Sequence, residues 1–315
     1  MKTSVVLSSY NGEKYIQEQL QSILCQTRQV DEVLIFDDMS KDSTTGVVES
    51  FIIENGLNNK WRLYVNKENK GWKRNFIESF HKATGDIIFS CDQDDIWDKN
   101  KVTNMVACFE KDNRIELLSS NFIPFFDKDG HRTYMSSGLT RRKMGANLNE
   151  TLSRAQLTNC LLQTFVPGCT IAFRKTILKF VDMVWYPEWA HDSVLSTVAK
   201  LRGSYFFLNE DLLLYRRHEG TNTPKNVRTR QGRVQAAKEY IYRVNRLEKN
   251  AQGLGLSDIE VRKLKDIKTF LTSRIELFTS DISLKRLLNY MRYIDYYPSI
   301  YSWGGDLFIR LRDRE

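Results

Sequence analysis

Residues 87–97 read Ile-Ile-Phe-Ser-Cys-Asp-Gln-Asp-Asp-Ile-Trp, an apolar run that ends in three carboxylates within four residues. A short apolar stretch bounded by polar residues reads as a buried strand, and the acidic step marks its carboxyl end. The same grammar repeats upstream. Ser4–Ser9 (SVVLSS) runs into Tyr10-Asn11-Gly12, Val33–Phe36 (VLIF) into Asp37-Asp38-Met39-Ser40, and Trp61–Val65 into Asn66 through Gly71. Between these runs apolar residues recur at helical spacing: Tyr15/Ile16, Leu20 and Ile23/Leu24; then Val47, Val48, Phe51 and Ile52; then Phe76, Ile77 and Phe80. Strands about thirty residues apart with helices between them predict an α/β fold of βαβ units on a mainly parallel sheet. Ligands on such sheets sit at the carboxyl ends of the strands, so the polar residues just past each strand are the candidates for function.

Downstream the pattern becomes mixed. Ile115–Ser119, Phe122–Phe126, Phe165–Phe173, Tyr205–Leu208 and Leu212–Tyr215 read as strands, and Ser193–Leu201 as a helix. From about Arg230 the text turns to Lys- and Arg-rich helix, which puts a boundary near 225–230. The chain of 315 residues is 41% hydrophobic and 27% charged, ample material for a core. No run of about 18 apolar residues is present, so no membrane-spanning helix is expected. The opening MKTSVVLSSYNGEKY turns polar too early for a secretory signal. Five cysteines without a CxxC pair argue against a disulfide framework or structural zinc and for a reducing cytoplasm. No GxGxxG follows the first strand and no GxxxxGK[ST] occurs, which disfavours dinucleotide dehydrogenases and P-loop NTPases. Residues 225–315 hold 19 Lys and Arg against 11 Asp and Glu, whereas the first 224 residues balance. The whole formal excess of +8 therefore lies in the tail, which is expected to face something anionic.

Asp92-Gln93-Asp94-Asp95 carries the sharpest chemistry. Its carboxylates repel one another unless a hard divalent cation, Mg²⁺ or Mn²⁺, sits among them and completes its shell with substrate phosphates. The plainer alternative is an N-cap cluster for the next helix.

Ser8-Ser9-Tyr10-Asn11-Gly12, Asp37-Asp38-Met39-Ser40-Lys41-Asp42 and Asp92-Gln93-Asp94-Asp95-Ile96-Trp97 resemble the family 2 glycosyltransferases of the GT-A fold. Asp92–Trp97, Ala190-His191-Asp192 and Leu214-Tyr215-Arg216-Arg217-His218-Glu219 are similar to bacterial rhamnosyltransferases within that family. The resemblance covers roughly residues 1–224. It implies a GT-A catalytic domain over 1–225, with a nucleotide-binding half at about 1–100 and an acceptor half at about 101–225, followed by a basic helical region at 226–315. Residue by residue it implies that Ser9 and Tyr10 hold the nucleotide and that Asp38 accepts a hydrogen bond from the pyrimidine. Asp37 is either a further contact or a structural cap. Lys73 or Asn75 is placed near the phosphates or sugar, Asp94 on ribose or sugar, and Asp95 on the ion. Asp92 either binds sugar or caps.

The resemblance further implies that Asp192 is the base that deprotonates the acceptor hydroxyl, with His191 assisting or orienting it. It implies that His218 completes the ion's shell and that the Arg216-Arg217 pair, Arg217 in particular, meets phosphate. The resemblance also implies attack opposite the leaving diphosphate, with inversion and no covalent intermediate; no activated Ser or Cys nucleophile is apparent. The implied donor is dTDP-L-rhamnose, with a UDP-hexose or UDP-N-acetylhexosamine as the alternative. The implied acceptor is a lipid-linked or oligosaccharide chain. From a different class, a non-catalytic basic protein binding nucleic acid or carbohydrate would need basic and aromatic residues on one groove. The acidic strand ends speak against nucleic acid. In the tail, Tyr290, Tyr293, Tyr296, Tyr297, Tyr301 and Trp303 mix with Arg292, Arg310, Arg312 and Arg314. That mixture suits either an anionic membrane surface at the inner face of the cell membrane or a helical subdomain that packs on the protein, with a homodimer also open.

Overall fold

The structure, a computed structural model, describes residues 1–128, 131–135, 147, 149–218, 229–281 and 284–312. The expected boundary near 225, Glu219 and Arg314 lie outside the described residues. The chain divides into two compact units, Met1–Gln156 with Thr164–Thr221, and Leu157–Gln163 with Asn222–Glu315. Leu157–Gln163 thus belongs with the C-terminal helices, although its sequence position groups it with the first domain.

The first unit runs β1 (Thr3–Ser9), α1 (Ile16–Leu24), β2 (Glu32–Asp37), α2 (Thr44–Glu54), β3 (Trp61–Val65), α3 (Trp72–Phe80), β4 (Ile87–Asp92), β5 (Ile96–Trp97) and α4 (Lys101–Lys111). It continues through β6 (Leu117–Lys128), β7 (His131–Tyr134), β8 (Leu152–Arg154), β9 (Ile171–Arg174), α5 (Leu178–Val184), α6 (His191–Leu201) and β10 (Tyr205–Arg216). The strands form one sheet in the order β3-β2-β1-β4-β9-β6-β10-β5, with β7 beside β6 and β8 beside β10. β3, β2, β1 and β4 are all parallel, as the βαβ rhythm requires. Val5, Val6, Leu7, Ile35 and Phe89 are wholly buried, because a parallel sheet carries helices on both faces.

The other half is mixed. β9 lies antiparallel between β4 and β6, while β6 and β10 run parallel. Here the sequence reading needs three revisions. The two strands expected at 115–126 are one, β6, and those at 205–215 are one, β10, whose register shifts at Asp211. In 165–173 a 3-10 turn, Gly168–Thr170, precedes β9. The strand order reverses beside β1, where β2 leaves on one side and β4 on the other, and a crevice of that kind receives ligands.

The second unit contains α7 (Arg230–Lys249), α8 (Asp258–Thr279), α9 (Leu284–Met291) and α10 (Ile300–Arg312). α8 opens with a Ser257/Glu260 capping box. It buries Leu264, Ile267, Leu271 and Phe278 at helical spacing, against a stripe of Ala237, Val244 and Leu247 on α7. The tyrosines of the tail mostly pack inside this unit: Tyr293, Tyr296 and Tyr297 surround Phe270, and Tyr290 stacks on Trp303 with centroids 6.1 Å apart. Among the described residues no helix is long and apolar enough to cross a membrane.

Candidate active site

The loops after β1 and β2 both carry a non-glycine residue at positive φ, Asn11 at 49° and Met39 at 67°. Such backbone is retained only where surrounding bonds over-determine it. Those bonds are present. Ser9 Oγ donates to Asp37 Oδ2 (2.8 Å), as does Ser40 Oγ (2.6 Å), and Ser40 N donates to Asp37 Oδ1 (2.7 Å). Asp37 therefore caps this loop, and Ser9, 1% exposed, is turned toward it.

Asp38 is also buried. It accepts from Asn66 Nδ2, Lys70 N and Gly71 N, each at 2.8 Å, and so folds the loop before α3. Gly71 has φ 77°, which lets its N–H reach Asp38. Asn75, 1% exposed, ties Ser8 Oγ, the Phe36 carbonyl and Asn66 together, so it holds three strand ends in place from below. Tyr10 differs: its ring is 43% exposed while its backbone is clasped by the Gln93 side chain at 2.8 and 3.0 Å. A Cβ on Gly12 would lie 2.1 Å from Gln93 Oε1, so the glycine makes room for this clasp. Gln93 joins the β1 and β4 loops and was not singled out from sequence; a glutamine inside an acidic step carries no signal of its own.

The acidic step itself separates into roles. Asp95 is fully buried; Oδ1 accepts the Arg216 N–H at 3.0 Å, and Oδ2 has no hydrogen-bond partner. One ligand atom each of Asp92, Asp95 and Cys169 lie within 4.8 Å of one another. Desolvation and the charges of Asp94 and Asp192 push Asp92 up to about 7. Desolvation, with Asp94 and Asp92, pushes Asp95 well above the usual carboxylate range. Asp94 faces outward. Its Oδ2 is 2.7 Å from His218 Nε2, with 17% and 22% of the two side chains exposed, and the imidazole lies 5.0 Å from the Tyr15 ring.

Arg216 is turned inward. It is 2% exposed and donates to the Asp94 carbonyl, to Asp127 and to Glu18, between the Tyr15 and Phe125 rings. Arg217 is half-buried, its guanidinium 5.9 Å from the Tyr215 ring.

The turn Gly168–Thr170 brings the downstream carboxylate to this place. Cys169 touches the acidic cluster, and a Cβ on Gly168 would sit 2.6 Å from His191 Nε2 and 3.2 Å from Asp192 Cβ. Buried Lys101 anchors the turn by donating to the Cys169 carbonyl at 2.9 Å. α6 begins at His191, not Ser193, with Ala190 as a cap lacking any side-chain bond. Asp192 is therefore not the N-cap; it lies in the first turn, and its Oδ1 accepts the Ser193 N–H at 2.7 Å. His191 is enclosed by Phe76, Trp72 and Phe80, and its Nε2 lies 3.3 Å from Ser90 Oγ. Burial pushes its pKa down to about 3, so it stays neutral. Lys73 Nζ donates to the Glu188 carbonyl at 2.9 Å, bracing the loop that leads into α6.

Asp92 and Asp95 bring carboxylate oxygens together, and Asp94, bonded to His218, adds charge beside them, a donor set that suits Mn²⁺ or Mg²⁺. The residues present fit such an ion.

The family model "Glycosyl transferase family 2" matches residues 4–180. The chain belongs to that family. It is 30% identical over 232 residues to dTDP-rhamnosyl transferase RfbG of Shigella flexneri, covering 70% of this chain and 74% of that protein. Its match to another curated glycosyltransferase spans 66% of that protein's length. Among solved structures, the fold is similar to TarS 1–349 of S. aureus in complex with UDP-GlcNAc (TM-score 0.63, 19% identity, covering 98% of this chain and 90% of that one). It is also similar to mannosyltransferase PcManGT from Pyrobaculum calidifontis in complex with GDP-Man and Mn²⁺ (TM-score 0.53, 16% identity, covering 100% and 88%). The GT-A-like architecture expected from the sequence is thereby shown.

Proposed function

We propose that this family 2 chain moves a sugar from a nucleoside diphosphate onto a hydroxyl of a glycan acceptor with inversion, and that Asp192 is its base. The observation that carries the reading is the convergence of two acidic places a hundred residues apart in sequence. The charge of Asp192 helps raise Asp92, and the Gly168–Cys169 turn touches both. In the reaction the acceptor oxygen forms a bond to the anomeric carbon and gives its proton to an Asp192 oxygen, while the sugar's bond to the diphosphate breaks. Tyr10 offers an exposed ring for the base, and Asp38 shapes the floor beneath it. Held by Asp94 and His218 with Asp92 alongside, Mg²⁺ or Mn²⁺ would stabilise the departing diphosphate as a Lewis acid. This reading moves the ligand role from Asp95 to Asp94, because Asp95 is enclosed and fastened to β10.

The similarity to RfbG supports L-rhamnose from dTDP-rhamnose as the donor, and the acceptor proposed with it is a lipid-linked or oligosaccharide chain. A UDP-N-acetylhexosamine is the second reading, favoured by the likeness to TarS with its bound UDP-GlcNAc. A sugar-nucleotide panel scored by diphosphate release, with and without Mn²⁺, separates them. If calorimetry with Mn²⁺ detects no binding of UDP or dTDP, the transferase reading fails. Asp192→Asn is expected to retain donor binding and to lose about 10²–10⁴-fold in turnover; retained turnover excludes it as the base.

A further inference from the structure

Three of the five cysteines are buried, and two of those thiols are spent on the main chain. Cys91 donates to the Asp92 carbonyl at 3.3 Å and Cys160 to the Tyr296 carbonyl at 3.6 Å. Cys169 is turned to acids instead: its thiol bonds the carboxylates of both Asp92 and Asp95. Among the described residues this is the one group in which a thiol and two carboxylates offer ligand atoms all within 4.8 Å of one another. Asp95 and Cys169 are both 0% exposed, and Asp95 Oδ2 has no donor in good hydrogen-bonding geometry. A buried thiol ordinarily packs as a small hydrophobe; this one is shared between two crowded carboxylates.

The sulfur is held there by its backbone. Thr170 N and Oγ both donate to the Pro167 carbonyl, at 3.1 and 2.7 Å, which closes the Gly168–Thr170 turn. Lys101 fixes the Cys169 carbonyl, and its own ammonium is enclosed 4.8 Å from the Trp97 ring. Asp95 is pinned to β10 through the Arg216 N–H, and Asp92 by the pairing of β4 with β1. When ionised, Asp92, Asp94 and Asp95 bring three negative charges against the one positive charge of Lys101, a balance that a divalent cation closes.

We propose that Asp92, Asp95 and Cys169 form an inner divalent-cation site that selects thiophilic ions, Zn²⁺ or Cd²⁺, over Mn²⁺ and Mg²⁺. Thiolate sulfur favours soft ions, whereas Mg²⁺ demands oxygen around it. On binding, the sulfur gives its proton to solvent and forms the bond to the ion. Asp92 is common to this site and to the one proposed with Asp94 and His218, so an ion held inside withdraws that carboxylate from the outer one. The site does not depend on the transferase reading; its effect on the donor does.

The test is titration of the full, nucleotide-free chain with Cd²⁺, read by thiolate-to-metal absorption in the ultraviolet and by cadmium NMR. The wild type is expected to give a saturable band. Cys169→Ser is expected to lose the band and more than about tenfold in Cd²⁺ affinity, while its Mn²⁺ affinity by electron paramagnetic resonance and its melting curve hold. Cys25→Ser and Cys91→Ser are expected to keep the band. Should Cys169→Ser fail to fold, the cadmium resonance of the wild type decides, since a bound sulfur moves it downfield of an all-oxygen site. Zn²⁺ is expected to weaken Mn²⁺-dependent UDP or dTDP binding in the wild type and not in Cys169→Ser. No band, a band that survives in Cys169→Ser, or an all-oxygen resonance overturns the site. Donor binding indifferent to Zn²⁺ overturns the sharing of Asp92. A protein that shows the band yet binds no UDP or dTDP keeps the site and loses the transferase reading.

Discussion

Asp306 in the helical unit and Asp95 in the sheet unit are both fully buried, yet they are treated in opposite ways. Asp306 receives two bonds from Arg274 at 2.5 and 3.1 Å, an ion pair from Arg233 at 3.2 Å, and the Tyr297 hydroxyl at 2.6 Å. Asp95 receives one backbone N–H on one oxygen and, besides it, only the weak thiol donor of Cys169, with Asp92 and Asp94 adding like charge. Burial of a carboxylate is costly unless it is paired. The first site meets that cost within the chain and is scaffold. The second leaves it unmet where the strands open, which is how a fold reserves a place for a ligand cation. Asp37 and Asp38, each holding three donors, belong with Asp306 although they lie in the loops of the candidate site.

The contrast breaks most visibly at its satisfied end. Asp306→Ala strands the buried Arg274 guanidinium and the half-buried one of Arg233, and is expected to cost about 3–5 kcal/mol. The readout is an early unfolding transition of the helical unit by circular dichroism. An unchanged melt would mean that the network is ornamental and the contrast empty. At the unsatisfied end, Asp94→Ala removes a half-buried carboxylate and with it only the bond to His218. Metal-dependent nucleotide binding by calorimetry is expected to weaken about 100-fold, equivalent to about 2.7 kcal/mol, with the melting temperature held. If binding persists and Asp95→Ala abolishes it instead, the ligand role returns to Asp95.

How far the sequence revealed this depends on which way a side chain turns. β1, β2 and β4 were legible because apolar runs buried on both faces leave little else to read, whereas the edge strand β3, with Tyr64 and Val65 exposed, was legible from its place in the rhythm. β6 and β10 were not. Ser119, Ser120 and Asn121 look like a break, but Ser119 pairs with the Tyr205 hydroxyl at 2.9 Å and Asn121 with Asp211, so polar residues continue the strand. The strand-end residues were legible as a set, since loops after parallel strands gather at one edge. Their division into props and contacts was not. Ser9 and Asn75 look as ligand-ready as Tyr10 in one dimension, and only partners 28 to 67 residues away show that they point inward. Lys101 and Arg216 are the hardest case. A charged residue reads as solvent-exposed until the distant groups that bury it, Cys169 for one and Glu18 and Asp127 for the other, are in place.

Glu116 offers an intermediate test away from any ligand. Desolvation raises its pKa, but bonds from Arg202 at 2.8 and 3.0 Å and Ser204 at 2.6 Å outweigh it, and the net shift is downward. A carboxyl depressed in the folded state contributes stability above its unfolded pKa and loses it as the pH falls through the folded one. Glu116→Gln is therefore expected to cost about 1–2 kcal/mol at pH 7 in a partly buried pair. The difference from wild type should close in acid. A gap independent of pH would place the effect in packing.

The smallest effect is the most discriminating, because its sign is opposite. Asp95→Asn keeps an oxygen for the Arg216 N–H and replaces the unpartnered Oδ2 with an amide that can donate toward Asp92. It removes charge from a place where three carboxylates crowd. Without added metal the variant is expected to be more stable than the wild type by about 1 kcal/mol, a rise of a few degrees in melting temperature. Mn²⁺ should reverse the order: an ion binding the folded wild type stabilises it by mass action, and the variant, lacking the backing charge, should gain less. Loss of stability without metal would show that Asp95 is already satisfied within the chain. It would then stand beside Asp306, and the acidic step would have no reserve of charge to offer a cation.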